Sequence, residues 1–182
     1  MSSVHKTNAA RILDGLGIGY EIREYEVDPE EFSALIVAEK VGLPAEQVFK
    51  TLLCATSDKE HVFAVVPGDA ELDFKKLAAA AGARKAEMVS LKEVQPLTGY
   101  VRGGVTVLGA KKNFRAFADE TLELFDVISV SAGTRGVQVV LKPEDYLRAT
   151  GAAVADLTKQ SSEHRAQGSE TRAQSSGSGK SL

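Results

Sequence analysis

Lys50 stands inside Val48-Phe-Lys-Thr-Leu-Leu-Cys-Ala-Thr56, a run of β-branched, aromatic and aliphatic residues bracketed by Pro44-Ala-Glu46 and Ser57-Asp-Lys59. That pattern predicts a strand. The strand period of two places Phe49, Thr51, Leu53 and Ala55 on one face and Lys50, Leu52 and Cys54 on the other. Burying an unpaired ammonium is costly, so a lysine on such a face snorkels to water, finds a partner or serves a site. In a site it would be a cation toward a phosphate, a hydroxyl or a carbonyl. Acting as a base would require its pKa to be lowered by the apolar surroundings.

Glycines and cations supply the other candidate chemistry. Gly99, Gly103, Gly104 and Gly109 interrupt β-forming sequence, and Gly133 and Gly136 flank Arg135. Such loops either form tight turns and bulges or present backbone N–H groups to an oxyanion or a phosphate. Arg102, Lys111, Lys112 and Arg115 lie beside the first loop. They are either a solvated face or contacts for a phosphate-bearing ligand, with Arg102, Lys111 and Gly133 as substrate-binding candidates. His5, His61 and His164 lie far apart, with no metal-ligand spacing. No Gly-x-Ser-x-Gly elbow occurs. Gly177-Ser-Gly-Lys-Ser imitates the end of a phosphate-binding loop, but Gln174 stands where its first glycine belongs.

The elements that must position these residues can be read in order. Thr7 is a plausible N-cap for a helix ending near Gly15-Leu-Gly17. Tyr20 to Val27 reads as a strand. Ser33 and Gly42 bracket a helix over Ala34 to Val41, and Asp73 and Gly82 bracket another over Phe74 to Ala81. His61-Val-Phe-Ala-Val-Val forms a hairpin with the Lys50 strand. Ala86 to Val89 reads as a short strand. Ser90-Leu-Lys-Glu93 has capping-box spacing for a helix that Pro96 should keep short. Asp126 to Val130 and Val137 to Leu141 read as strands, and Pro143 opens a last helix. Hairpins alternating with crossovers predict an α/β mixed (α+β) fold with a mixed sheet.

The length of 182 residues fits one domain. Hydrophobic residues make 43% and charged residues 26%, and no run approaches the length of a membrane helix. The net charge is −3. Residues 159–182 contribute +2, leaving −5 on the body, so nucleic-acid contact is expected to be local. That tail is poor in anything to bury and is expected to be disordered, which sets a domain at 1–158. The start, Met1 to Asn8, has no apolar core of a secretion signal, and Cys54 is the one cysteine. A cytoplasmic setting is the expectation.

Seven motifs occur in order: Lys6-Thr-Asn-Ala-Ala-Arg-Ile-Leu13, Tyr25 before Asp28-Pro29, Val48-Phe-Lys-Thr-Leu52, Leu72-Asp-Phe-Lys-Lys-Leu77, Gly99-Tyr-Val-Arg-Gly-Gly104, Leu108-Gly-Ala-Lys-Lys112 and Ser131-Ala-Gly-Thr-Arg-Gly136. Together they resemble the YbaK/EbsC family of aminoacyl-tRNA editing deacylases, related to the editing domain of bacterial prolyl-tRNA synthetases. The resemblance covers residues 5–158. It implies a single domain with a mixed, partly barrel-like β-sheet surrounded by helices, and cleavage in trans of mischarged tRNA, above all Cys-tRNA(Pro). It implies that Lys50 is the essential lysine, that Tyr25 and Ser131 are active-site residues, and that Gly103 and Gly104 face the aminoacyl carbonyl. No metal or organic cofactor is implied. The implied partners are the 3′ end of aminoacyl-tRNA and prolyl-tRNA synthetase.

Two positions depart from the family pattern. Thr106 keeps a hydroxyl in the glycine loop, but Val107 replaces a proline, and Gln138 stands where an acid is common. They keep two further readings open: a non-catalytic aminoacyl-tRNA- or synthetase-binding protein, and the same fold acting on Ala-tRNA(Pro). Lys50 is expected to reach from its apolar wall toward the two glycine loops and Tyr25.

Overall fold

The computed structural model describes residues 6–31 and 33–160. Of the tail 159–182 expected to be disordered, residues 161–182 lie outside the described residues, whereas Lys159 is described and its N–H donates to Glu71 O at 2.9 Å. Five helices are described: α1 (Asn8–Gly15), α2 (Ala34–Val41), α3 (Phe74–Ala81), α4 (Leu91–Thr98) and α5 (Pro143–Thr150). They alternate with eight strands: β1 (Glu21–Glu24), β2 (Phe49–Thr56), β3 (His61–Pro67), β4 (Ala86–Met88), β5 (Arg115–Asp119), β6 (Ile128–Ser131), β7 (Val137–Leu141) and β8 (Ala153–Ala155).

Local chemistry starts these helices where the sequence predicts. Thr7 Oγ1 accepts from Ala10 N at 3.2 Å, Ser33 Oγ from Ile36 N at 3.4 Å, and Asp73 Oδ1 from the backbone of Lys75 and Lys76. Each contact satisfies a donor that the first helical turn leaves unpaired. Helix α4 departs from expectation. Ser90 Oγ donates to Glu93 Oε2 instead of capping a backbone N–H, and the helix continues through Pro96 to Thr98.

The strands form two open sheets. The larger has the order β4-β2-β3-β5-β8, antiparallel on the β2 side and parallel from β3 through β5 to β8. The smaller, β1-β7-β6, is antiparallel throughout. A single parallel bridge, Val48 to Ser129, joins them beside the start of β2. The mixed sheet is present, but the expected partly barrel-like closure is not. Closure requires edge strands to pair with each other, whereas three-residue β4 and β8 and four-residue β1 end their sheets with one neighbour each.

Burial follows the strand period. Phe49 and Val65 pack with Val130, Val139 and Leu141 of the smaller sheet, together with Leu13 of α1 and Tyr146 of α5. Cys54, Val62, Ala64 and Val66 face the other way, onto Leu77 of α3, Leu72 and Leu157. The larger sheet is therefore covered on both faces, and Lys50 shares the α3 side with Leu52 and Cys54. Helix α2 lays Val37, Ala38 and Val41 on Val48, with Tyr25 against the same cluster.

Gly68, just past β3, packs tightly against the start of α2. Its N–H donates to Val48 O at 2.7 Å, and a Cβ there would lie 2.9 Å from both Ala34 Cβ and Val48 O. Gly68→Ala must push backbone apart and should cost about 1–3 kcal/mol. A fall in the urea unfolding midpoint with an unchanged slope is the expected result.

Candidate active site

A cleft of about 1120 Å³ opens where the two sheets meet. Lys50 lies on its floor, with Leu52, Val89 and Val94 making an apolar wall. Arg102, Gly103 and Val105 from the glycine-rich loop enter from one side, and Ser131 and Gln138 come from the smaller sheet. Ser131 and Gln138 are register partners on β6 and β7, so their side chains share a face. Gly68, Ala70 and Glu71, in the turn between β3 and α3, complete the rim near the lysine.

Lys50 Nζ donates to the Ala70 carbonyl at 2.8 Å. Burial holds its pKa below the ordinary lysine range, and the charges of Asp69 and Glu71 act against that shift. An ammonium has three protons, and one is engaged by Ala70, so two are left for a ligand. A carbonyl acceptor and two nearby carboxylates all favour the protonated form. The site thus presents Lys50 as a cation.

The glycine loops divide into those that meet the cleft and those that build it. Gly103 lines the cleft, and its N–H makes no hydrogen bond to another described residue. Gly104 N instead donates to Val101 O at 2.9 Å, and a Cβ on Gly104 would press on the backbone of Thr134 and Arg135. Gly133, at φ +100°, lies under the Tyr100 ring, where a Cβ would come within 2.8 Å of Cε1. Both a left-handed conformation and the absence of a side chain are required there. Thr106 is buried, and its Oγ1 accepts from Leu108 N at 3.4 Å within its own loop. Arg135 Nε donates to Arg102 O at 2.7 Å, tying the two loops together.

Ser131 Oγ accepts from Gly133 N at 3.2 Å, which leaves its proton for a ligand. Ser129 Oγ donates to Gln138 Oε1 at 2.9 Å and fixes that amide in the wall. Of the nine site residues expected from sequence, Lys50, Arg102, Gly103 and Ser131 line this cleft. Gly104, Thr106 and Gly133 support its loops. Tyr25 packs behind the cleft against α2, its N–H donating to Gly136 O, and Lys111 is exposed beyond Gly99. The acceptor of Lys50 is therefore the β3–α3 turn rather than the glycine loops or Tyr25. Pro67-Gly68-Asp69 reads as a turn, but a backbone carbonyl has no residue-type signature by which sequence could mark it.

Cys54 shares the Lys50 face but is fully buried, and burial pushes its thiol up to about 12. It is a packing residue. Among the described residues no cluster of three or more His, Cys, Asp or Glu is placed to hold a metal, and no helix is long and apolar enough to cross a membrane.

Known proteins resemble this chain in sequence and fold. The profile of the aminoacyl-tRNA editing domain matches residues 28–149. The chain is 40% identical over 153 residues to EbsC of Enterococcus faecalis, described as a candidate Cys-tRNA(Pro)/Cys-tRNA(Cys) deacylase; the match covers 84% of this chain and 93% of that protein. It is 34% identical over 116 residues to the multifunctional Ser/Thr-tRNA deacylase ProXp-y of Escherichia coli, covering 62% of this chain and 70% of the relative. A crystal structure of a candidate trans-editing enzyme for prolyl-tRNA synthetase superposes with a TM-score of 0.74 at 27% identity, covering 87% of this chain and all of the other. The chain belongs to the aminoacyl-tRNA editing-domain family, among the trans-editing deacylases of the YbaK/EbsC type.

Proposed function

We propose that this editing deacylase clears cysteine from proline tRNA in trans, with Lys50, Gly103 and Ser131 as the groups that meet the aminoacyl end. The observation that carries the reading is the half-buried Lys50 ammonium, anchored by one proton on Ala70 O and facing a cleft shared with Gly103 and Ser131. The similarity to EbsC over nearly its whole length supports cysteine as the amino acid.

An aminoacyl ester is already activated, so the protein needs mainly to position it and to stabilise charge on the carbonyl oxygen. In this reading the Gly103 N–H and the Lys50 ammonium meet that oxygen, while Ser131 Oγ–H meets the ribose or the amino acid. Gly104, Thr106 and Gly133 hold the loop shapes, Tyr25 buttresses α2, and Arg102 and Lys111 meet tRNA phosphates. The cysteine thiol, losing its proton, attacks its own ester carbonyl. The carbon–oxygen bond to the ribose breaks, the ribose oxygen takes up a proton, and the amino acid leaves as a four-membered thiolactone. With an amino acid that has no thiol, water would be the attacking group.

A cytoplasmic setting belongs to this reading, as does prolyl-tRNA synthetase as the partner that supplies mischarged tRNA. The body spanning residues 1–158 would form the editing domain.

Lys50→Ala should keep the fold, seen by an unchanged circular dichroism spectrum, and lose about a hundredfold or more in Cys-tRNA(Pro) turnover. Near-wild-type turnover would sink the assignment of Lys50. In a panel of cysteinyl, alanyl, seryl and prolyl esters, the cysteinyl ester should be cleaved fastest. Preference for another ester would move the substrate, and protection of all of them would show a binder.

The pH dependence has a defined sign. Asp69 raises the Lys50 pKa, so Asp69→Asn lowers it further, and the ammonium is lost at lower pH. The alkaline limb of kcat, corrected for spontaneous ester hydrolysis, should move to lower pH. An unmoved limb would exclude the Lys50 ammonium as the group reported. Because the chain carries a net charge of −3, free tRNA should bind weakly and bind less as salt rises, as filter binding would show; tight binding unaffected by salt would overturn this.

A further inference from the structure

We propose that residues 156–159 act as a positioning strap: they fix residues 71–73, and through them the Ala70 carbonyl that holds Lys50 in the cleft. The inference rests on the reading of Lys50 as the working cation of the site. Nothing in the chemistry of the reaction calls for this segment, which lies more than 100 residues from Lys50 in the chain.

The strap is a short antiparallel ladder. Asp73 N donates to Leu157 O at 2.7 Å, Lys159 N donates to Glu71 O at 2.9 Å, and Leu72 and Thr158 form the bridge between them. Leu157 is fully buried beside Leu72 and Leu77, and its N–H donates to Oδ1 of the buried Asp119 at 2.8 Å. Lys76 of α3 locks the outside, its Nζ reaching Thr158 O at 2.7 Å and Asp156 Oδ2 at 2.9 Å.

The turn that carries Ala70 has few other restraints. Its start is held by Gly68 N on Val48 O and Ala45 O, and its middle by Ala70 N on Pro67 O. Its far end is held by the N-cap of α3 and by the strap. Ala70 is one residue before the ladder, so movement of Glu71 moves the carbonyl that sits 2.8 Å from Lys50 Nζ. The Lys159–Glu71 ion pair is too exposed, at 50% and 76% of the side chains, to do the holding. The main-chain bonds and the buried leucine do it.

Lys159→Pro removes the N–H that reaches Glu71 O, whereas Lys159→Met removes only the charge. In the full-length protein, Lys159→Pro should lose about tenfold or more in kcat on Cys-tRNA(Pro) with little change in KM, and Lys159→Met should lose less. The second readout is the titration of Lys50 itself, followed by its ¹³Cε resonance in lysine-labelled protein. Asp69 and Glu71 on the turn, Arg102 on the glycine loop, and Glu30 and Glu31 ahead of α2 are the charged groups around the cleft. All of them remain in Lys159→Pro, while the loosened turn admits water to the ammonium. The Lys50 midpoint should therefore rise toward that of free lysine.

A strap that serves stability alone would lower the unfolding midpoint but leave kcat and the Lys50 titration of the folded protein unchanged; that result overturns the proposal. Should Lys159→Pro fail to fold, Lys76→Met, which removes the contacts to Thr158 and Asp156, is judged by the same two readouts. If the wild-type protein cleaves no aminoacyl ester, the functional reading fails by itself. The titration then decides the strap: a midpoint that rises supports it, and one that does not move overturns it.

Discussion

A half-buried ammonium on an apolar sheet face is the constraint from which the site is built. Lys50 is placed by strand period between core positions, so its charge cannot simply turn away into water. The Ala70 carbonyl answers it at 2.8 Å, and Asp69 and Glu71 add a favourable field. That arrangement requires the chain to turn sharply after β3, which only a residue without a side chain permits at Gly68. It also requires the turn to be held from outside the sheet, which Leu157 and its neighbours do.

The second requirement is that the smaller sheet lie beside β2. Its one bridge, Val48 to Ser129, falls two residues before both Lys50 and Ser131, and in a parallel pairing this carries the two residues forward together. The glycine-rich loop then needs only to fold over the gap. Tyr100, Arg102 and Arg135 supply the struts: Tyr100 OH donates to Leu108 O at 2.8 Å, and Arg135 reaches Arg102 O. Shape in this cleft comes from backbone and packing, and charge comes from a few side chains.

What the sequence made legible was local. Ser33 with Gly42, and Asp73 with Gly82, mark α2 and α3 to the residue, because caps and stops are short-range chemistry. The β2–β3 hairpin and the Lys50 face follow from a period of two. Arg115-Ala-Phe-Ala-Asp119 and Ala153-Val-Ala155 were not legible as strands: alanine is a poor strand former, and both are parallel strands positioned by tertiary contacts. The partly barrel-like sheet was an expectation of the family resemblance, and no local signal bears on it, since whether sheet edges meet depends on long-range geometry. In the site, residue type singled out Lys50, whereas Ser131 came only with the family resemblance; both line the cleft. Residue type could not separate Gly103, open to the cleft, from Gly133, spent on the Tyr100 ring.

The burial of Cys54 has a meaning beyond packing. A cleft that receives a substrate bearing a free thiol is exposed to exchange chemistry: any accessible protein thiol could form a mixed disulfide with the substrate, or capture its acyl group as a thioester. The only sulfhydryl in the chain sits four residues along the strand from Lys50, on the same face, yet it has no exposed surface and burial pushes its pKa up to about 12. The cleft thus offers no protein thiol to a cysteinyl ester.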